Sequence, residues 1–100
     1  MMYLSDRNYT IMGCVDKLYI AKVTESGTID EGSIYYITNE EAKIFSTIKC
    51  ALRVEPDNVL IRYVAAHHNE NLSHKQLSED IERFCQKLLD AGILGNLEIN

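Results

Sequence analysis

Short apolar runs separated by turn-forming residues make up the first third of the chain. Two runs rich in β-prone side chains, residues 9–12 and 17–23, flank residues 13–16, whose glycine and aspartate suit a turn. A third run follows the segments TESG and DEG and ends just before Thr38. This pattern predicts three short antiparallel strands that are connected by hairpins.

The third predicted strand, residues 33–37, is apolar on both of its faces. Ile34 and Tyr36 point to one side of it. Because side chains alternate along a strand, Tyr35 and Ile37 point to the other side. Such a strand is either central and buried on both faces, or an edge strand whose unpaired N–H and C=O groups another chain can complete. The composition leaves both alternatives open.

Beyond Thr38 the apolar positions recur with the period of an α-helix. Thr38 or Asn39 can cap a first helix, because both side chains accept hydrogen bonds from free backbone N–H groups. Pro56 suits the first turn of a short second helix, which ends at about His67. The apolar stripe of the first helix consists of Ile44, Phe45, Ile48 and Leu52.

A third helix, predicted over residues 74–91, has clear signals at both ends. Ser73 suits the N-cap of a capping box in which Gln76 reaches back, and Gly92 suits the left-handed position after a helix. Residues 95–100 are expected to fray. The apolar stripe of this helix consists of Leu77, Ile81, Phe84 and Leu88.

The order of elements predicts an α+β fold, in which a three-stranded antiparallel sheet is followed by three helices, as in winged helix-turn-helix proteins. A chain of 100 residues makes one domain, which we expect to be ordered over about residues 9–94. No apolar run approaches the roughly 18 residues that a membrane span needs. The N-terminus also lacks a signal-peptide pattern, so we expect a cytoplasmic protein without a membrane partner.

The charge balance argues against a nucleic-acid partner. Fifteen acidic and ten basic residues give a net charge of −5, and the basic residues are scattered along the chain. In the third predicted helix, four acidic residues stand against three basic ones. A winged-helix protein that reads DNA is therefore a disfavoured alternative.

The chain offers little catalytic chemistry. Its three cysteines are widely spaced and form no CxxC pair, so we expect them to be reduced. Its carboxylates lie where solvated helix faces and helix N-termini place them, and no glycine-rich phosphate loop occurs. We therefore predict a binding module that is not an enzyme and holds no cofactor or metal. The weakest alternative is a zinc site built from His67, His68 and His74 with Cys50 or Cys85.

Two segments resemble a known family. GSIYYITNEEAKIFSTI resembles the strand, Leu-Asn-Glu-x-Ala and helix signature of PqqD-like proteins, although Ile37-Thr38 stands where the family usually has leucine. These proteins are recognition elements for ribosomally synthesised and post-translationally modified peptides (RiPPs), and they bind the leader of a precursor peptide. NLSHKQLSEDIERFCQKLLDAGIL resembles the terminal helix of that family, through Asp80-Ile81, Phe84, Leu88 and Gly92-Ile93-Leu94.

The resemblance implies where a leader peptide lies. It is an added antiparallel strand against the third predicted strand, in a groove whose other wall is the third helix. We expect Phe84 at the floor of the groove and Arg83 and Lys87 as partners of acidic leader residues, while a flank with Cys85 and Leu89 stays the alternative. The implied peptide-binding residues are Ser33, Ile34, Tyr35, Tyr36, Ile37, Asp80, Arg83, Phe84 and Lys87.

The function implied by the resemblance is recruitment without catalysis. The chain captures the leader and presents the precursor to a modifying enzyme, such as a protease, a cyclase or a radical enzyme. Because it starts at its own methionine and shows no second domain, we expect it to be free-standing and to dock on that enzyme. The alternatives are a winged-helix-type protein or a homodimeric interaction module that pairs through the third strand, without a role in RiPP biosynthesis.

Overall fold

The computed structural model describes residues 1–51, 53–67, 70–71 and 73–97 of the chain. Two residues with predicted roles, Leu52 and His68, lie outside these ranges. The described elements are β1 (Met2–Leu4), β2 (Tyr9–Cys14), β3 (Lys17–Lys22), a 3-10 turn (Glu31–Ser33), β4 (Tyr35–Ile37), α1 (Asn39–Lys49), α2 (Pro56–Ala66), α3 (His74–Asp90) and β5 (Leu94–Asn96). The predicted order of three strands and three helices is confirmed, with a further strand on each side of it.

The strands β2, β3 and β4 form an antiparallel sheet in which β3 is central. The strand predicted over residues 33–37 is therefore an edge strand, because β4 pairs with β3 alone. It begins at Tyr35 rather than at Ser33. The reason is local: the Asp30 carboxylate accepts from the Gly32 N–H at 3.1 Å and caps a 3-10 turn that includes Ser33.

The two faces of β4 differ in exposure. Ile37 is 9% exposed and Tyr35 is half-buried, and both pack on the inner face of the sheet. Tyr36, on the outer face, is 62% exposed. The apolar residues on the two faces of this strand therefore have different surroundings. One face belongs to the core, and the other is open to solvent.

The helix boundaries follow the predicted caps. Thr38 caps α1 in a full capping box: its hydroxyl accepts from the Glu41 N–H at 3.1 Å, and the Glu41 carboxylate accepts from the Thr38 N–H at 2.9 Å. Ser73 caps α3 by accepting from the Gln76 N–H at 3.5 Å. The predicted return bond from Gln76 is absent within the described ranges, because its amide donates to Asp80 at 3.0 Å instead.

The core lies between the inner face of the sheet and the apolar stripes of the three helices. Gly92 ends α3 with a left-handed φ of 79°, which glycine adopts without steric penalty. The predicted stripes of α1 and α3 are buried at every described position. The largest fully buried side chains are Ile20, Ile44, Phe45, Ile48, Val54, Val59, Ile81, Phe84, Cys85, Leu88 and Leu94.

Residues near both ends of the described chain pair with each other, where the sequence predicts a tail that frays from Gly95. β1 pairs with β5 in an antiparallel two-stranded sheet, in which Tyr3 opposes Gly95. The Val54 N–H donates to the Met2 carbonyl at 2.8 Å and ties this sheet to the link between α1 and α2. The expected ordered range of residues 9–94 therefore omits paired residues on each side.

Ser5 connects the end of β1 to the end of α3, and we expect Ser5→Ala to destabilise the protein. The Ser5 hydroxyl lies 2.8 Å from the Gly92 carbonyl and 2.9 Å from the Ile93 carbonyl. Losing it should cost about 1 kcal/mol, which lowers the melting temperature of a domain this size by roughly 4–8 °C. Differential scanning calorimetry measures this. The control is Ser26→Ala in an exposed turn, and an equal shift in both variants would contradict the expected role of Ser5.

Candidate functional site: the free edge of β4 and its groove

The direction of the backbone groups in β3 fixes which groups of β4 are free. Lys22 turns both of its groups toward β4, since its N–H donates to the Ser33 hydroxyl at 2.8 Å and its C=O accepts from the Asp30 N–H at 2.9 Å. The next residue, Val23, donates to the Asn8 carbonyl on the opposite side at 3.0 Å. Because backbone groups alternate between the two edges of a strand, the even-numbered residues of β3 face β4.

Tyr36 consequently turns its N–H and C=O to the free edge of the sheet. In the observed register Leu18 opposes Ile37 and Ile20 opposes Tyr35, so Tyr35 and Ile37 bond to β3. Tyr36 lies between them and faces away from β3. In the part of the chain that the structure describes, Tyr36 makes no backbone hydrogen bond outside the ladder. One donor and one acceptor are thus available to an added strand.

The positions that flank Tyr36 on this edge are largely occupied by local bonds. The Thr38 N–H is taken by the Glu41 carboxylate, and the Thr38 C=O accepts from the Ala42 N–H at 2.9 Å. The Ile34 N–H lies 3.5 Å from the Glu31 carbonyl, a long hydrogen bond. The free edge is therefore short, and it is centred on Tyr36.

Two hollows lie along α3 and the segment that follows it. The first, of about 190 Å³, lies between the start of α1 and α3. The second, of about 340 Å³, lies between the 3-10 turn with the start of β4 and the segment after α3. The first brings together Asp80, Arg83, Phe84 and Lys87 with Thr38 and Glu41. The second brings together Ser33, Ile34 and Tyr35 with Ala91 and Ile93.

The two other predicted residues lie elsewhere. Tyr36 and Ile37 line a third hollow, of about 580 Å³, beside the start of β3. On the outer face of the sheet the Tyr36 ring meets Tyr19 edge-on, with the ring centres 6.1 Å apart, and Lys17 Nζ lies 5.3 Å from the Tyr36 ring centre. Tyr36 thus offers its backbone to the free edge and its side chain to the outer face.

Arg83 and Lys87 of α3 already have carboxylate partners. Arg83 lies 3.2 Å from Asp80, and Lys87 lies 3.6 Å from Glu41. These are partly exposed pairs, which bind only weakly. An acidic leader residue would have to compete with Asp80 and Glu41 for these cations. Phe84 is 1% exposed and is one of the residues that line the first hollow.

Glu41 is the residue of this region that the sequence interpretation missed. It caps α1 and also pairs with Lys87 on α3, so it connects both sides of the first hollow. The spacing Thr38-x-x-Glu41 is a capping-box signature that could have marked it. Its partner could not be read from the sequence, because Lys87 lies two helices further on.

The described thiols and imidazoles give no sign of a reactive centre. Burial, together with a smaller effect of the nearby Glu82 carboxylate, raises the pKa of the Cys85 thiol to about 11, so this thiol is protonated at neutral pH. Burial is also the main reason why the pKa of Tyr63 is raised. Within the described ranges, no three His, Cys, Asp or Glu side chains are grouped so that they could hold a metal.

None of the described helices combines the length and the apolar character that a bilayer-spanning segment needs.

The fold is similar to that of a solved peptide complex. The structure of TbiB1 in complex with the TbiA(beta) leader peptide matches with a TM-score of 0.60, over 97% of this chain and 99% of that one, at 13% sequence identity. The predicted PqqD-like fold is thereby confirmed. No protein-family model and no curated protein matches the chain.

Proposed function

We propose that this chain is a single, non-catalytic domain that binds the leader of a precursor peptide and presents that peptide to an enzyme of RiPP biosynthesis. The observation that carries the proposal is the open edge at Tyr36, on a fold shared with a protein that was solved with a leader peptide. The peptide adds to β4 as an antiparallel strand, and main-chain hydrogen bonds contribute affinity.

An antiparallel leader has a defined polarity in the groove. Its N-terminal part lies beside Thr38 and the first hollow, and its C-terminal part leaves past Ser33 and the second hollow. Side chains of the leader alternate, so every second one points toward α3. The anchor on that side would contact Lys87, Ala91 and the accessible part of the Phe84 ring.

The proposed site includes the two ion pairs that Arg83 and Lys87 of α3 form. An acidic leader residue can pair with Arg83 or Lys87 only if it displaces Asp80 or Glu41, their present partners. Such an exchange of one exposed ion pair for another gains little free energy. We therefore propose that the charges select among leaders, while affinity comes from the strand and its anchors.

Presentation raises the local concentration of the core peptide at the modifying enzyme. A leader held on this domain, which in turn binds the modifying enzyme, makes the encounter of enzyme and core peptide effectively intramolecular. We propose a protease, a cyclase or a radical enzyme as that partner, and the cytoplasm as the place of the reaction. The net charge of −5 disfavours a nucleic acid at any of these surfaces.

A homodimer through β4 is the second candidate, and the same open edge supports it. Two copies could pair their β4 strands across a two-fold axis, but the leader would then be excluded from both. Sedimentation velocity with and without the leader separates the two functions. A dimer that leader peptide dissociates has both properties, whereas a dimer that persists with leader bound contradicts pairing through β4.

The test is fluorescence anisotropy with a labelled leader from a short precursor encoded beside this chain, in which single backbone nitrogens are methylated in turn. Strand addition predicts weaker binding at the leader position whose N–H faces the free Tyr36 C=O, and little change at the two positions next to it, because neighbouring N–H groups of a strand point away from β4. Each lost hydrogen bond should weaken binding by roughly tenfold.

A leader of scrambled sequence is the control for composition. Methylation that weakens binding equally at all positions, or at none, would rule out an added strand. No binding of the native leader at concentrations up to the millimolar range would reject the proposed function itself.

A further inference from the structure

A cleft between α1 and α2 is a concave surface that the proposed function leaves unused. It has a volume of about 660 Å³, and small side chains such as Thr47 and Ala66 line it. Ser46 and Cys50 line the cleft, whereas Glu41 and Ile44 line the first hollow of the leader groove. At about 100° per residue, the α1 residues that line the cleft and those that line the first hollow are centred roughly 120° apart around the helix. The cleft and the groove therefore open on different faces of α1.

An exposed aliphatic side chain lies at the rim of the cleft. Ile61 is 67% exposed, and it precedes Ala65, one of the lining residues, by one helical turn. Residues four apart lie on the same face of a helix, so Ile61 extends the surface of the cleft. A single exposed isoleucine is ordinary in a folded protein, but one that continues a large concave surface points to a partner.

The charges around the cleft are opposite in sign to those of the whole chain. Lys43, Arg62 and His67 line it, and no carboxylate does among the described residues, although the chain has a net charge of −5. The neighbouring carboxylate of Glu70 lies 3.4 Å from Lys43 and 3.6 Å from His67. Arg62 forms no ion pair within the described ranges. The cleft thus combines small side chains, an aliphatic rim and an unpaired guanidinium.

We infer that this cleft binds the modifying enzyme, through a segment of that enzyme that carries aliphatic and acidic side chains. The identity of the partner rests on the proposed function, while the position of the surface rests on the cleft itself. Because the cleft and the leader groove open on different faces of α1, both partners can be bound at the same time. Such double occupancy is what presentation requires. An acidic protein segment fits better than RNA, since two fixed cations are too few for a polyanion to overcome the net charge.

The test measures binding of the purified modifying enzyme encoded beside this chain, by biolayer interferometry with the full-length protein. Ile61→Asp and Arg62→Glu should each weaken binding of the enzyme by about tenfold or more, because each places a negative charge against an acidic partner. Binding of the labelled leader should stay unchanged in both variants.

Two variants make the same changes of charge elsewhere. Val15→Asp changes a residue that is 98% exposed at the turn between β2 and β3, where φ is 50° and aspartate is better tolerated than valine. Lys75→Glu changes an exposed residue in the first turn of α3. Both controls should bind the enzyme within about twofold of the unaltered protein.

The inference is overturned if the enzyme does not bind the unaltered protein, or if all four variants bind it equally. It is also overturned if Arg62→Glu abolishes binding of a labelled 20-mer RNA, a length of roughly two helical turns, while enzyme binding stays intact. A protein that binds the enzyme through the cleft but binds no leader would leave this inference standing and reject the proposed function instead.

Discussion

Replacing Tyr36 by proline should weaken leader binding by about tenfold or more, which corresponds to roughly 1.4 kcal/mol. Proline removes the N–H that faces the free edge and leaves a leader carbonyl without its donor. The substitution should preserve the sheet, because the Tyr36 N–H does not bond to β3 and because edge strands accept proline where the N–H faces outward. The preceding Tyr35 is already extended, as a residue before proline prefers to be.

The matched control is Tyr36→Thr, which also removes the ring and its contact with Lys17 but keeps the N–H. Anisotropy with the labelled leader compares the two variants, and far-ultraviolet circular dichroism verifies that both are folded. If both variants bind the leader as tightly as the unaltered protein does, the Tyr36 N–H makes no bond to the leader. If both variants lose the same amount of affinity, the contact belongs to the Tyr36 ring.

Phe84→Ala should lower the free energy of unfolding by about 3–5 kcal/mol, the usual range for a buried phenylalanine. Phe84 is 1% exposed, and it packs in the main core with Ile81 and Leu88 on either side of it along α3. For a domain whose total stability is roughly 5–15 kcal/mol, this loss is a large fraction. Urea unfolding followed by circular dichroism measures it.

Arg83→Ala, one residue before, is the control, and we expect it to change stability by no more than about 0.5 kcal/mol because its side chain is exposed. Phe84→Leu keeps most of the apolar volume and should remain folded. This variant isolates any contact of the ring with the leader, in the anisotropy assay. An alanine variant as stable as the unaltered protein would place Phe84 outside the core.

The helices could be predicted well because their signals are local. Caps such as Ser73 and breakers such as Pro56 and Gly92 lie within a few residues of the boundaries that they define. The apolar stripes of α1 and α3 are likewise periodic within one element. These features need no knowledge of the rest of the chain.

The status of the third predicted strand could not be predicted, because strand order depends on pairing between distant segments. Nothing in the sequence of residues 33–37 shows that this strand pairs with another strand on one side only. The same holds for the pair of Lys87 with Glu41, which joins two elements far apart in sequence. The sequence could therefore name candidate residues for the site, but not the contacts that connect them.

The short sheet of β1 and β5 was missed for a different reason. Each strand has three residues, too few for a period to be visible, and Gly95 indicates a loop rather than a strand. The structure explains this glycine, since a Cβ atom at position 95 would lie 2.5 Å from Cζ of Tyr3. A strand glycine can mark the close approach of a ring, which no local pattern reveals.

The pairing of β1 with β5 sets the order in which the protein can fold during synthesis. β1 leaves the ribosome before every other element, but its partner, Leu94–Asn96, comes after all three helices. Until then Met2 can pair only with Val54, and the hydroxyl of Ser5 has no carbonyl to reach. Closing a loop of this length is slow compared with forming helices. β1 therefore lacks its strand partner until β5 has been synthesised, and the pairing of β1 with β5 is a late step of folding.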